Sequence, residues 1–275
     1  MNKKNVTDEI NESKKYIEKR TKVRPEIAII AGSGLNNIKS LIKEQTVISY
    51  SKIPHFKRST VEGHTGELVA GKIGGKDIFL FNGRVHYYEG YTMQEISYPV
   101  RVMKSLGVET LIVTCAVGAV NKKYNPGDIV VIKDHINFSG SNPLIGKHYK
   151  EFGARFPDMS EVYDKSFRKT VIKNAKNKNI KIYEGTYFAV SGPSYETPAE
   201  ILVFAALGAD VVGMSLVAES IVAKQSGMKV LALTYVSNKA SGLAKKSLSH
   251  KEVLDAGKKA SENMEKIIKD FVRKS

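Results

Sequence analysis

Seven short apolar runs, partly β-branched, recur along this chain at 27–31, 78–81, 111–114, 129–132, 187–190, 211–213 and 230–236. Runs of this length with little polar alternation suit strands that are covered on both faces. Between several of them lie stretches of helical period, 94–106, 197–207 and 216–226, each followed by a glycine (Gly107, Gly208, Gly227). Strand, helix and strand therefore alternate. The expected fold is α/β, a central mixed β-sheet flanked by helices, with the ligand site gathered at the carboxyl ends of the strands. No repeat, low-complexity tract or Pro/Ser-rich linker divides the chain, so a single domain over residues 1–275 is expected, with 1–24 as an N-terminal helical segment. The stretch 137–160, with its Asn-Pro and Phe-Pro steps, reads as a long excursion of the kind that serves function or touches a neighbouring subunit.

Composition excludes several classes. The single cysteine, Cys115, allows no internal disulfide and has no zinc-type spacing, which fits a reducing compartment. No apolar run approaches the ~20 residues that cross a bilayer, and no apolar segment follows the first basic residues, so a cytoplasmic protein without membrane association is expected. The formal charge of +15 raises the question of nucleic acid. Its excess sits in three polar stretches, 1–24, 165–181 and 239–275, whose only aromatic residues are Tyr16, Phe167 and Phe271. Without stacking platforms these stretches read as solvated faces. A basic nucleic-acid-binding protein using 165–181 remains the alternative of another class.

The chemistry-bearing residues cluster where strands end. The first run leads into Gly32-Ser33-Gly34, where backbone N–H groups can turn toward an anion, although the same residues also make a plain turn. The P-loop lysine and the full dinucleotide fingerprint are both missing. Arg84 and His86, after the run 78–81, share a side if the segment stays extended, and a guanidinium fork with an imidazole suits an oxyanion such as phosphate. Tyr88 can cover a sugar face and Glu89 can orient His86. Glu62-Gly63-His64 adds a second histidine, but no carboxylate or cysteine cluster at ligand spacing joins the two, so no metal is expected. Small residues at 115–119 read as a turn that exposes the Ala116 N–H, or as tight packing. Further on, Thr197 as N-cap, Pro198 and Glu200 account for a helix start, leaving Tyr195 and Glu196 without a structural duty. An aromatic face beside a carboxylate suits a purine with N–H donors; a polar turn is the plain alternative. Met214 can lie against a sugar, Ser215 can bond phosphate or ribose, and Asn238 has the acceptor and donors that match the O6/N7 edge of a 6-oxopurine.

In order, GSGL, EGHTGE, GRVHYYEGY, VTCAVGAV, DHIN followed by NPL, GPSYETPAE, GADVVGMS and SNKASG resemble the trimeric purine nucleoside phosphorylase family, over roughly residues 25 to 270. The resemblance implies the nucleoside phosphorylase fold and reversible phosphorolysis of 6-oxopurine (deoxy)ribonucleosides in purine salvage. It implies a homotrimer with sites near subunit boundaries, inorganic phosphate as co-substrate, and no cofactor. Carried over residue by residue, it implies a phosphate site of Ser33, Arg84, His86, the Ala116 backbone and Ser215, with His64 close by. Tyr88, Met214 and His250 then face the sugar. Tyr195, Glu196 and Asn238 face the base, with Phe156 supplied by the adjacent subunit, and Asn238, Glu196 and His86 carry the catalysis. Four positions depart from the animal-type pattern: Cys115 for Asn, Tyr195 for Phe, Ser237 for Thr, and Ala240 for a larger apolar residue that would leave room beside the purine. A rival within enzymes is 5′-methylthioadenosine phosphorylase. Asn238 and His250 argue against it, since its substrate carries a 6-amino group and an apolar methylthio group. A hydrolytic nucleosidase would leave Arg84, His86 and Ser33 without a purpose.

Overall fold

The computed structural model describes residues 5–32, 34–60, 66–243 and 250–275, side chains of 36 and 250–259 excepted. Among the described residues nine strands form one sheet: β1 (Ile27–Ala31), β2 (Lys43–Ser49), β3 (Glu67–Ile73), β4 (Lys76–Asn82), β5 (Thr110–Ala119), β6 (Ile129–Asn137), β7 (Ile182–Ala189), β8 (Val211–Gly213) and β9 (Lys229–Lys239). Their order is β2-β3-β4-β1-β5-β8-β7-β6-β9, and β9 also pairs with β5. The last five strands therefore close on themselves into a ring, while β2, β3, β4 and β1 extend from it as an open wing. Pairing is mixed: β1 lies parallel to β4 and β5, and β5 parallel to β9, whereas β2–β3, β3–β4, β5–β8 and β6–β9 are antiparallel.

Six α-helices among the described residues accompany the sheet: α1 (Val6–Glu18), α2 (Met93–Ser105), α3 (Lys165–Asn177), α4 (Pro198–Ala206), α5 (Val217–Gln225) and α6 (His250–Lys274). Strand alternation decides which helices cover which face. Ala28, Ile30, Phe79 and Phe81 pack with Ile10 and Ile17 of α1, Val102 and Met103 of α2 and Ile221 of α5. Their neighbours Ile27, Ile29, Ile78 and Leu80 pack with Val171 of α3 and Met264, Ile268 and Phe271 of α6. Both faces are thus buried, which is why these strands read as unbroken apolar runs. A smaller core of Phe188, Phe204, Ile201, Val212 and Ala240 lies under α4.

The expected helices match α2, α4 and α5 within a residue or two at each end, and the 1–24 segment contains α1. Two strands had no counterpart among the apolar runs. The outer strand β2 is mostly exposed, and β3 is interrupted by Gly71 and Lys72, so neither carries a sustained apolar signal. The residues 115–119 are a correction: they are the second half of β5, because β9 pairs beside them as far as Ala119↔Lys239 and β8 adds at Gly118↔Val212. Among the described residues no helix is long and apolar enough to cross a membrane.

The chain leaving β1 passes close to the middle of β5 at Gly32. A Cβ there would lie 2.6 Å from the Thr114 carbonyl oxygen and 2.9 Å from the Cys115 Cα, both backbone atoms that cannot swing aside. Gly32→Ala is therefore expected to lower the unfolding free energy by about 1–3 kcal/mol, the usual cost of overpacking. Urea denaturation checks this, and an unchanged midpoint would mean that Gly32 and β5 do not meet as described.

Candidate active site

The cavity in question opens where the ring of strands ends. The second half of β5 supplies Cys115, Ala116, Val117 and Gly118, the β8–α5 turn Met214 and Ser215, and the end of β9 Ser237 and Asn238. His86 and Tyr88 come from the turn after β4, and Tyr195 and Glu196 from the loop before α4. These residues line one cavity of about 230 Å³. Segments more than 150 residues apart in sequence thus meet at one point.

His86 is held from below by Glu89. Its Nδ1 lies 2.9 Å from Glu89 Oε1, and its backbone N–H donates to the same oxygen at 2.7 Å. The other carboxylate oxygen accepts from the Thr60 N–H at 2.6 Å and the Thr60 hydroxyl at 2.9 Å. Burial by itself would raise the Glu89 carboxyl, but the donors from Thr60 and His86 outweigh it and hold it below the ordinary value. A carboxylate only accepts hydrogen bonds, so the contact requires the proton on His86 Nδ1 and fixes the tautomer. The Tyr88 ring stacks on the imidazole, with centroids 4.8 Å apart and planes 11° from parallel.

Arg84 sits one layer deeper and is 7% exposed. Its Nη1 donates to Glu219 Oε1 at 3.2 Å, and its Nη2 donates to the carbonyls of Ile30, near the end of β1, and Thr114, in the middle of β5. Arg84, Glu219, His86, Met214 and Ser215 line a small adjoining cavity of about 30 Å³. Glu219 was missed by sequence reasoning. The signal was there: it is the one carboxylate of α5, where the residues from Val217 to Ala223 are otherwise apolar or small, and a lone buried carboxylate needs a cation. Removing one member of such a buried pair leaves the other charge uncompensated.

On the opposite side, Glu196 is half-buried. Burial pushes its carboxyl above the ordinary value; a backbone hydrogen bond opposes the shift and the charge of Glu200 adds to it. The capping box after it is present: Glu200 N–H donates to Thr197 Oγ1 at 3.2 Å and Thr197 N–H to Glu200 Oε2 at 2.7 Å. That leaves Glu196 outside the capping network. At Asn238, Oδ1 lies 2.6 Å from the Ser237 hydroxyl and Nδ2 donates to the Lys239 carbonyl at 2.9 Å, which restrains the amide. Ser237 Oγ is in turn 3.1 Å from the Val117 carbonyl.

Other expected residues fall elsewhere. Ser33 and His64 lie outside the described residues, and of His250 only its place at the start of α6 is described. Phe156 does not line the cavity of its own chain and is 89% exposed. Ala240 is not among the residues that line the cavity; it is 1% exposed and packed in the small core under α4. Among the described residues no group of three or more His, Cys, Asp or Glu could hold a metal ion.

The sequence matches the family model of the Phosphorylase superfamily over residues 26–273. It is 47% identical over 267 residues to purine nucleoside phosphorylase 1 of Bacillus subtilis, covering 97% of this chain and 98% of that one. To the purine nucleoside phosphorylase of Mus musculus it is 43% identical, with 92% and 90% covered. The structure of the Schistosoma mansoni purine nucleoside phosphorylase in complex with inosine superposes with a TM-score of 0.92 at 36% identity, covering 98% of this chain and 96% of that one. With relatedness along nearly its whole length to proteins of one activity, and with their fold, the chain belongs to the purine nucleoside phosphorylases of the Phosphorylase superfamily.

Proposed function

We propose that this protein catalyses the reversible phosphorolysis of 6-oxopurine ribonucleosides and deoxyribonucleosides, inosine and guanosine, to free base and α-(deoxy)ribose 1-phosphate. One observation supports the proposal: His86, Ala116 and Ser215, residues suited to an anion, line a single cavity together with Tyr195, Glu196 and Asn238, residues suited to a purine, and Arg84 lies beside His86 and Ser215 in the adjoining cavity. Inorganic phosphate is the co-substrate. It is also the nucleophile, so the chemistry calls for no protein nucleophile, metal or organic cofactor.

Phosphate is held by Ser33, Arg84, His86, the Ala116 N–H and Ser215, with His64 near, under a sugar contacted by Tyr88, Met214 and His250. It attacks C1′ as the bond to N9 lengthens. The sugar gains oxocarbenium character, which the phosphate charge beneath it stabilises, while negative charge gathers on the leaving base. Asn238 meets that charge at N7 and O6, and ionised Glu196 accepts from N1–H and from the 2-amino group where present. Attack from below inverts the anomeric centre. A 6-amino purine would leave the Asn238 donor unmatched, so adenine-type nucleosides are poorer substrates.

The protein acts as one domain in the cytoplasm and as a homotrimer, in which Phe156 of one subunit reaches its neighbour's base site. Support for assembly comes from large apolar side chains left exposed on the excursion and on α4, with Phe156 at 89%, Leu202 at 69% and Phe138 at 61%.

A nucleoside panel assayed with and without orthophosphate tests the function. Inosine and guanosine should turn over only with phosphate present; faster turnover of 5′-methylthioadenosine, or release of base without phosphate, would overturn it. Asn238→Ala and Glu196→Ala should each lower kcat/KM for inosine by roughly 10²–10³, the range seen when one directed group is lost from a developing charge. Near-native turnover in both would remove the base-site assignment.

The upward shift at Glu196 gives a pH dependence. Its ionised form binds N1–H, and a raised pKa means that protonation begins at a higher pH than for an ordinary glutamate at 4.5. Activity on guanosine should therefore fall on the acid side with an apparent pKa above 4.5, and Glu196→Gln should remove that limb. A wild-type profile flat down to the ordinary glutamate range would contradict the assignment.

A further inference from the structure

We infer that Tyr187 is the positioning residue that sets Ser215 for phosphate, acting through its buried hydroxyl on the turn between β8 and α5. The inference rests on the proposed role of Ser215 in holding phosphate. Tyr187 lies on β7, fully buried, and pairs across to Val211 of β8. Its side chain reaches past the end of β8, where the hydroxyl accepts the Ser215 backbone N–H at 3.0 Å.

Three features make this contact more than ordinary packing. First, the turn runs into a helix start that has no side-chain cap: α5 starts from Leu216, which stands in the left-handed region (φ 57°, ψ −27°). The Val217 N–H turns back to the Ser215 carbonyl at 2.8 Å, so Ser215 sits on a tight bend whose own N–H is satisfied by Tyr187. Second, the chain makes space for the hydroxyl. A Cβ on residue 213 would fall 2.4 Å from it, and the residue there is glycine, without the positive φ that would call for one on backbone grounds. Third, Tyr187 belongs to the same buried core as Cys115 and Val117 of β5, the strand that supplies another wall of the cavity. Burial raises the phenol well above its ordinary range, so it stays protonated while the enzyme works.

The same turn carries Met214 and leads into α5, where Glu219, four residues after Ser215, is the partner of Arg84. Loss of the hydroxyl should be felt where phosphate binds and little at the purine, which is gripped by other segments.

The test is steady-state kinetics on Tyr187→Phe, which keeps the ring and removes the hydroxyl. Its KM for phosphate should rise about tenfold, the scale of one buried hydrogen bond, with the KM for inosine changed less than about twofold. Tyr98→Phe is the control. It removes a buried hydroxyl that meets Ser13 between α1 and α2, away from the cavity, and should leave both constants unchanged. Gly213→Ala presses on the hydroxyl from the other side and should likewise raise the phosphate KM, so the inference stays testable if Tyr187→Phe folds poorly. Ser215→Ala should raise the phosphate KM by itself, and Tyr187→Phe should add little on top of it. Ser215→Ala with an unchanged phosphate KM would refute the role of Ser215, and the inference with it. A raised value in Ser215→Ala alongside unchanged values in Tyr187→Phe or Gly213→Ala, or independent effects of the Tyr187 and Ser215 substitutions, would refute the inference alone.

Discussion

The parallel pairing of β5 with β9 is the contact on which the rest of the site depends. It runs from Thr110↔Lys229 to Ala119↔Lys239 and closes five strands into a ring. Because β1 ends before β5 does, the second half of β5 is free to take β8 on its other side. That exchange of partners opens the cavity, and it requires small residues: Ala116 lies opposite Tyr235 and Gly118 opposite Asn238. Without the pairing, Asn238 would be a turn residue at the end of a strand with no fixed relation to His86.

Polar groups behind the cavity are arranged to hold the groups in front of it. Glu89 orients His86, Glu219 and the carbonyls of Ile30 and Thr114 orient Arg84, and Ser237 restrains Asn238. Each is a hydrogen bond made before substrate arrives, so the donors need little rearrangement when charge develops. The buried Arg84–Glu219 pair is costly to desolvate, and its retention beside the proposed phosphate site is consistent with a use in binding.

Much of this was legible in the sequence, for a physical reason. Strands covered on both faces, such as 27–31 and 230–236, leave unbroken apolar runs, and helices that end at glycine leave punctuation. The capping box at Thr197, Pro198 and Glu200 could be read residue by residue, which isolated Glu196 as unexplained. What was not legible depends on partners that local patterns do not show. An outer strand such as β2 has no second neighbour to demand apolar side chains. Cys115 to Ala119 look like a turn because small residues suit turns and close strand packing equally, and only the register with β9 separates the two. Glu219 and Tyr187 were missed because a lone carboxylate in a helix and a tyrosine in an apolar run take their meaning from Arg84 and Ser215, which lie 135 and 28 residues away in the chain.

The stereochemistry of the product tests the central claim most directly, because it reports whether orthophosphate itself attacks the sugar from beneath while the oxopurine departs. Inosine incubated with phosphate and followed by proton and phosphorus NMR should yield hypoxanthine and the α anomer of ribose 1-phosphate as the first-formed sugar product. Free ribose, or the β anomer, would contradict an account in which this cavity places phosphate under the sugar with no intervening protein nucleophile.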